Sequence, residues 1–302
     1  MKTIVICGAT ATGKSDLAVS LAREIGAEIV SADSMQIYKG MDIGTAKLSA
    51  DERDGISHHL LDVLHVGQDA TVAWYQDLAR AAVTDIHSRG KDAIIVGGTG
   101  LYIKSILDDL NFPDTDAAIR QKLTEEAKEF GIVQLFQRLE QLDPAAAAAI
   151  DRQNERRVIR ALEVIEITGQ PFTANLPRAD SSLYPDALQF GLVMDRAELG
   201  VRVEVRVDQM WQKGFVAEVD RLIEEGITRA TTARRALGYA QIIAMRNGEI
   251  TEDVAIEETK RATRQYVRRQ ETWFSRDARI NWISPLQPRL ETVLNKINSP
   301  SS

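Results

Sequence analysis

Apolar positions run without a break through residues 3–7 (TIVIC), the pattern of a strand buried on both faces. The period then switches. Leu17, Leu21 and Ile25 recur at i, i+4 and i+8, which predicts an amphipathic helix over 14–25 with Gly26 as its stop. A second strand is expected at EIVSA (28–32), ending at Asp33, then a helix over 72–88 and a third buried strand at KDAIIVGG (91–98). Apolar strands alternating with helices imply an α/β fold, a parallel sheet flanked by helices on both faces. Ligands of such sheets sit beyond the carboxyl ends of the strands, where residues 8–15, Asp33 and Gly97–Thr99 fall.

The pattern changes near Pro113. Residues 117–130, 132–142 and 144–168 read as helices, separated by Gly131 and by Asp143-Pro144, an N-cap followed by a favoured first helical residue. The stretch 168–186 is loop-like, QFGLVMD (189–195) reads as a strand, and helices dominate to residue 276. The tail INSPSS (297–302) is expected to fray. These breaks predict an α/β core in two parts, 1–113 and 181–302, the latter with C-terminal helices, and a small all-helical insertion domain at 114–180.

Composition narrows the class. Of 302 residues 44% are hydrophobic and 27% charged, and no apolar run approaches the ~20 residues a membrane span needs. The opening MKTIVICGAT reads as a strand and not as a targeting segment, and one cysteine fits a reducing compartment, so a cytoplasmic monomer is expected. Cys7 reads as a small buried hydrophobe, and four histidines without metal-ligand spacing argue against a zinc site. A net charge of −7 means that any nucleic-acid interface is a local patch.

Candidate chemistry begins at GATATGKS (8–15), a GxxxxGK[ST] pattern that a random chain of this length matches about once in a hundred. Gly8, Ala9, Thr10, Ala11, Thr12 and Gly13 would turn backbone N–H groups onto phosphate oxygens, Lys14 would add a cation, and the Ser15 hydroxyl could hold Mg²⁺. The expected ligand is a nucleotide such as ATP, a diphosphate or a polyphosphate. Asp33, at a neighbouring strand end, is a general base or a metal ligand, so the loop also fits a P-loop small-molecule kinase using ATP. Arg152, Arg156 and Arg160 recur every four residues with Arg157 beside them. Arg261, Arg264 and Arg268 form a second basic stripe with Lys260 and Arg269, interleaved with Tyr266, Trp273 and Phe274. Internal pairs such as Glu163–Arg160 and Glu257–Arg261 are the alternative to phosphate contacts.

Taken with SADSMQIYKGMDIGTAK (31–47), HHLLDV (58–63), GGTGLY (97–102), RRVIRALEVIEITG (156–169) and TRQYVRRQETWF (263–274), the loop makes nearly the whole chain resemble the tRNA dimethylallyltransferases, or delta-2-isopentenylpyrophosphate transferases. The resemblance implies a prenyltransferase that moves a dimethylallyl group from dimethylallyl diphosphate to N6 of the adenine 3′ of the anticodon in tRNA, releasing diphosphate. It implies that Thr10 to Ser15 hold the donor diphosphate with Mg²⁺, and that Asp33, Lys14 and Thr99 form the catalytic set with Asp33 as base. Contacts to the anticodon stem-loop would come from Asp33, Ser34, Met35, Gln36, Thr99, Arg120, Arg156, Arg157, Arg160, Arg264, Gln265, Arg268 and Arg269, with the target base extruded towards Asp33. Ala240 departs from the family's usual basic residue, and Trp74-Tyr75 from a Phe-rich pattern. Arg196 and Arg202, just past a core strand, are further candidates for the diphosphate or for pairing on a helix surface.

Overall fold

The computed structural model describes residues 1–175 and 182–299. The first strand, β1 (Thr3–Gly8), is buried along its whole length. After it come α1 (Lys14–Ile25), β2 (Glu28–Ser31), the two-residue β3 (His58–His59), α2 (Val72–Ser88), β4 (Ala93–Gly97) and α3 (Gly100–Leu107). Four helices follow: α4 (Ala117–Phe130), α5 (Ile132–Leu142), α6 (Pro144–Ala149) and α7 (Glu155–Thr168). The chain then forms β5 (Leu188–Leu192), α8 (Arg196–Gln212), α9 (Phe215–Glu224), α10 (Tyr239–Arg246), α11 (Glu252–Phe274), β6 (Ile280–Ile283) and α12 (Arg289–Asn298). All six strands pair parallel in the order β3-β2-β4-β1-β5-β6.

Alternation along β1 explains why the sheet is covered on both faces. Val5 and Cys7 pack into one core with Val30, Ile95, Tyr75 and Phe215, whereas Ile4 and Ile6 join Leu17, Leu21, Ile94 and Phe190 in another. The chain divides into two compact units, Met1–Leu107 with Tyr184–Ser302, and Asp108–Leu183. Within the second, Leu123, Leu135, Leu139, Val158 and Leu162 form a helical core. There the fully buried carboxylate of Glu163 accepts from Arg120 (2.9 Å), from Arg160 (2.9 Å) and from the backbone N–H of Asp116 (3.0 Å).

Several expected boundaries move. The helix expected over 144–168 is two helices, because Asp151 accepts from the Gln153 N–H in a turn and Asn154 then caps α7 by accepting from the Arg157 N–H. Arg152 therefore lies off the helix, and the expected stripe shrinks to Arg156 and Arg160. The strand expected over 189–195 stops at Leu192, since Asp195 turns the chain into α8 by accepting from the N–H groups of Ala197 and Glu198. The edge strand β3, and β6 with α12 after residue 276, carry too little pattern to be read. Of the expected loop, Phe172–Asn175 is a short 3-10 helix and 176–181 lie outside the described residues. Of the tail expected to fray, α12 includes residues to Asn298, and 300–302 lie outside the described residues. No helix among the described residues is long and apolar enough to cross a membrane.

At the amino end of β2, buried Glu28 gathers Arg89 (2.5 Å), Lys91 (2.8 Å) and His59 (2.8 Å). The Arg89 hydrogen bonds hold its carboxyl well below the usual carboxylate range; burial works against them, and Lys91 and His59 assist. A depressed carboxylate stabilises the fold above its unfolded pKa, so this contribution is complete at neutral pH and is lost as pH falls below about 4. Glu28→Gln should cost about 3 kcal/mol at pH 7 and flatten the acid side of the stability profile, measured by urea unfolding from pH 7 to 3. Parallel profiles for the two proteins would refute this role.

Candidate active site

Residues 8–13 turn sharply between β1 and α1. Gly8 (φ +134°) lies so close to β5 that a Cβ there would sit 3.1 Å from the Leu192 carbonyl oxygen, and Gly13 adopts φ +84°. Ala11 takes φ +63° without being glycine, a strained position in a loop. The loop is drawn tight because the Ala9 carbonyl accepts from Thr12 Oγ1 (2.8 Å) and from Lys14 Nζ (2.6 Å). Among the described residues, the N–H groups of Ala11, Thr12, Gly13, Lys14 and Ser15 go to no protein acceptor. They form a ready cradle for an anion at the start of α1. Thr10 differs from its neighbours: its N–H donates to Gln270 Oε1 (2.9 Å), leaving its side chain to face a cavity.

Half-buried Lys14 carries the charge of this cradle. Burial, and then the Arg206 guanidinium, push its ammonium down from 10.5 to about 8, against the pull of Asp33. Arg206, on the buried stripe of α8 with Val203 and Val207, is also pushed below its ordinary value by burial, against the charges of Asp33 and Asp16. Nothing in the sequence reading singled out Arg206. The signal was an arginine three residues after Val203 on an apolar helix face. Arg202, for which the sequence leaves open the diphosphate or pairing on a helix surface, pairs with Glu198 (2.9 Å). Arg196 lines a separate cavity of about 580 Å³ with Gly8, Ala9, Thr12, Arg268 and Trp282, and approaches Glu271 at 3.4 Å.

Asp33 follows the end of β2. Its Oδ1 accepts from the N–H groups of Met35 (2.8 Å) and Gln36 (3.3 Å), which locks the side chain, while Oδ2 has no hydrogen-bond partner among the described residues. Thr99 braces the same turn: its Oγ1 accepts from the Ser34 N–H (3.2 Å), and its own N–H donates to the Ala32 carbonyl (3.3 Å). A Cβ on Gly97 would lie 2.1 Å from that carbonyl oxygen, so the glycine permits the contact. Gln36 is spent internally, accepting from Ser31 Oγ and donating to the Thr45 carbonyl (3.2 Å). Asp33, Ser34, Met35, Arg206, Tyr266 and Arg269 help line a cavity of about 260 Å³. Burial, then the charge of Asp33, raise the Tyr266 hydroxyl to about 12, and Arg269 lies 5.7 Å over its ring.

Two buried side chains that the sequence did not flag hold this cavity open. Gln270 donates from Nε2 to the Gly98 carbonyl (2.9 Å) while holding Thr10, so it ties the phosphate loop to the end of β4. Glu218 on α9 accepts from three consecutive N–H groups, Asp42 (3.1 Å), Ile43 (2.7 Å) and Gly44 (3.3 Å), and from the Tyr239 hydroxyl (2.6 Å). Gly44, Thr45 and Tyr239 all border the cavity. Ala240 sits in the first turn of α10, immediately beyond this wall.

The basic candidates separate into two groups. Arg120 and Arg160 are committed to Glu163, and Arg264 pairs with Glu204 (2.8 Å). Arg261 pairs with Glu258 rather than with Glu257, which instead reaches Lys260 (3.2 Å). Arg156, Arg157, Gln265, Arg268 and Arg269 are exposed, and the four arginines have no carboxylate partner among the described residues.

A parallel α/β sheet, an anion cradle and a carboxylate at its carboxyl edge define an enzyme of phosphate-ester chemistry. The chain belongs to the IPP transferase family, whose model matches residues 36–277, and it is thereby a prenyltransferase. It is 53% identical to the tRNA dimethylallyltransferase of Thermobifida fusca, over 94% of this chain and 90% of that one. The corresponding protein of Salinispora tropica is 51% identical over 92% and 86%. Among solved structures, the tRNA delta(2)-isopentenylpyrophosphate transferase of Staphylococcus epidermidis superposes with a TM-score of 0.72 at 33% identity, covering 99% of both chains. A eukaryotic dimethylallyltransferase acting on tRNA gives 0.80 at 27% identity, over 94% of this chain and 74% of that one.

Two outcomes follow from this geometry. Affinity for inorganic diphosphate should fall as pH rises through about 8, because Lys14 loses its proton there; calorimetry returning the same affinity at pH 7 and 9.5 would remove Lys14 from the cradle. Glu218→Gln faces backbone donors with an amide N–H₂, and should lower stability by about 3 kcal/mol while leaving diphosphate binding within about twofold. A large loss of diphosphate affinity would show that the cavity wall and the cradle are one unit.

Proposed function

We propose that the chain transfers the dimethylallyl group of dimethylallyl diphosphate to N6 of the adenine 3′ of the anticodon in tRNA. The observation that carries this reading is Asp33, locked through one carboxylate oxygen and open at the other, at a cavity shared with Arg206 and the phosphate-loop residue Thr10. The unspent N–H groups of residues 11–15 and Lys14 receive the diphosphate. As the bond from C1 of the prenyl group to the diphosphate oxygen breaks, they stabilise the charge that collects on the leaving group. The adenine N6 forms the new bond to C1 and gives its proton to Asp33 Oδ2. General-base assistance of this kind is worth ~10²–10⁴-fold in rate.

The adenine must leave its stack to reach Asp33, and the cavity beside Tyr266 and Met35 offers an apolar and aromatic lining for it. Exposed Arg268 and Arg269 on α11, and Arg156 and Arg157 on the helical unit, supply phosphate contacts for the anticodon stem-loop. The residues also fit Mg²⁺ carried by the diphosphate. The Ser15 hydroxyl has no hydrogen-bond partner among the described residues, and an ion held mainly by substrate oxygens and water needs no carboxylate cluster. Bound there, Mg²⁺ supplies further charge neutralisation to the departing diphosphate.

Labelled dimethylallyl diphosphate, Mg²⁺ and unmodified tRNA with adenine 3′ of the anticodon should give labelled tRNA. No transfer, together with ATP consumption on a small alcohol, would establish a kinase instead. Asp33→Ala should lower kcat by ~10²–10⁴-fold with tRNA affinity retained; loss of tRNA binding would mean that Asp33 shapes the site. Arg268→Ala should weaken tRNA binding and reduce the slope of log affinity against log salt by about one. An unchanged slope would remove Arg268 from the interface.

A further inference from the structure

Arg289 opens α12, beyond the segment matched by the family model, and it touches the phosphate loop. Its Nη1 donates to the Thr12 carbonyl at 2.7 Å and would stand 3.1 Å from a Cβ built on Gly13. The peptide between Thr12 and Gly13 is planar, with its C=O and N–H pointing in opposite directions. A cation on the carbonyl therefore polarises the Gly13 N–H, which is one of the unspent donors of the cradle.

The half-buried guanidinium makes no ion pair among the described residues. The nearest carboxylate that shares the spot is Asp16, whose Oδ2 would be 3.9 Å from the same Gly13 Cβ and which is itself exposed. A cation whose one hydrogen bond goes to a loop carbonyl keeps most of its charge for the loop. Arg206 acts from the cavity and Lys14 from the start of α1, whereas Arg289 acts through the Thr12 carbonyl.

We propose that Arg289 is a positioning residue of the diphosphate cradle, acting through the Thr12–Gly13 peptide to hold the loop and strengthen its N–H donors towards a diphosphate. The inference deepens the proposed function for the donor half of the site. It makes the C-terminal helix part of donor recognition without any contact to the prenyl group or to RNA.

The test uses the full-length protein and two independent readouts, calorimetric affinity for inorganic diphosphate with Mg²⁺ and steady-state kinetics of prenyl transfer. Arg289→Gln keeps an N–H donor and removes the charge; it should weaken diphosphate affinity and raise the donor KM by about five- to tenfold, leaving the tRNA KM within about twofold. Arg289→Lys, which keeps the charge and a donor, should recover most of the loss. Unchanged diphosphate affinity in Arg289→Gln overturns the proposal. So does a parallel rise in both KM values with a lowered Tm, which marks a merely structural contact. Should Arg289→Gln fold poorly, Arg289→Met, which keeps an apolar stem and removes charge and donor, decides with the same readouts: unchanged diphosphate affinity, or equal loss in diphosphate and tRNA binding, overturns the proposal. Wild-type protein that binds diphosphate but transfers no prenyl group would count against the proposed function and leave the role of Arg289 open to the binding readout, which decides it.

Discussion

The Gln270 side chain sets the spacing between the two halves of the site. It is buried on α11, and its oxygen holds the Thr10 N–H while its nitrogen holds the Gly98 carbonyl. A buried amide is tolerable only when both ends are satisfied, and here each end is satisfied by a different strand-end loop. Everything chemical hangs on those loops. From Gly98 the chain passes to Thr99, which braces Ser34 and so the turn that locks Asp33; from Thr10 it passes into the anion cradle. A Cβ on Gly98 would lie 2.2 Å from the Gln270 nitrogen, so the glycine and the glutamine are one device. Replacing either would move the carboxylate relative to the cradle, the distance on which transfer between two bound substrates depends.

Charge in this protein is divided between holding and reaching. Buried carboxylates are structural nodes: Glu28 at the amino end of β2, Glu163 in the helical unit and Glu218 behind the cavity wall each satisfy several donors at once. Cations that serve them are unavailable elsewhere, which is why Arg120 and Arg160 count towards the stability of the helical unit before they count towards RNA. Cations without such partners cluster where an anion is missing. Arg206 lines the cavity, Lys14 stands at the start of α1, Arg289 holds the Thr12 carbonyl, and Arg268 and Arg269 stand exposed on α11.

The parallel sheet, the loop at 8–15 and Asp33 were legible because each is written locally: an unbroken apolar run, a glycine-spaced motif and an acid at a strand end. Helices α1, α2, α4 and α5 were legible to the residue, since period and stop signals coincide at Gly26, Gly131 and Asp143. The break inside 144–168 was not, because Asn154 looks like any polar helical residue until its cap bond is seen. Gln270, Glu218 and Arg289 escaped notice for a deeper reason. Apart from Tyr239, which Glu218 meets 21 positions on, their partners lie 172 to 277 positions away in the chain, so no window of sequence contains the interactions that give them meaning. Arg206 is the intermediate case: its place on an apolar stripe was visible, and its service to Asp33 and Lys14 was not.

The pressed-down ammonium of Lys14 gives the cradle a direction. Burial beside Arg206 disfavours two positive charges in a half-dry site, and Asp33 compensates only part of that cost. In the proposed reaction a diphosphate removes the conflict, because its negative charge offsets both cations and its oxygens accept from the N–H groups of residues 11–15. Binding the donor and offsetting the charges of Lys14 and Arg206 are thus one electrostatic event, carried by groups already in place.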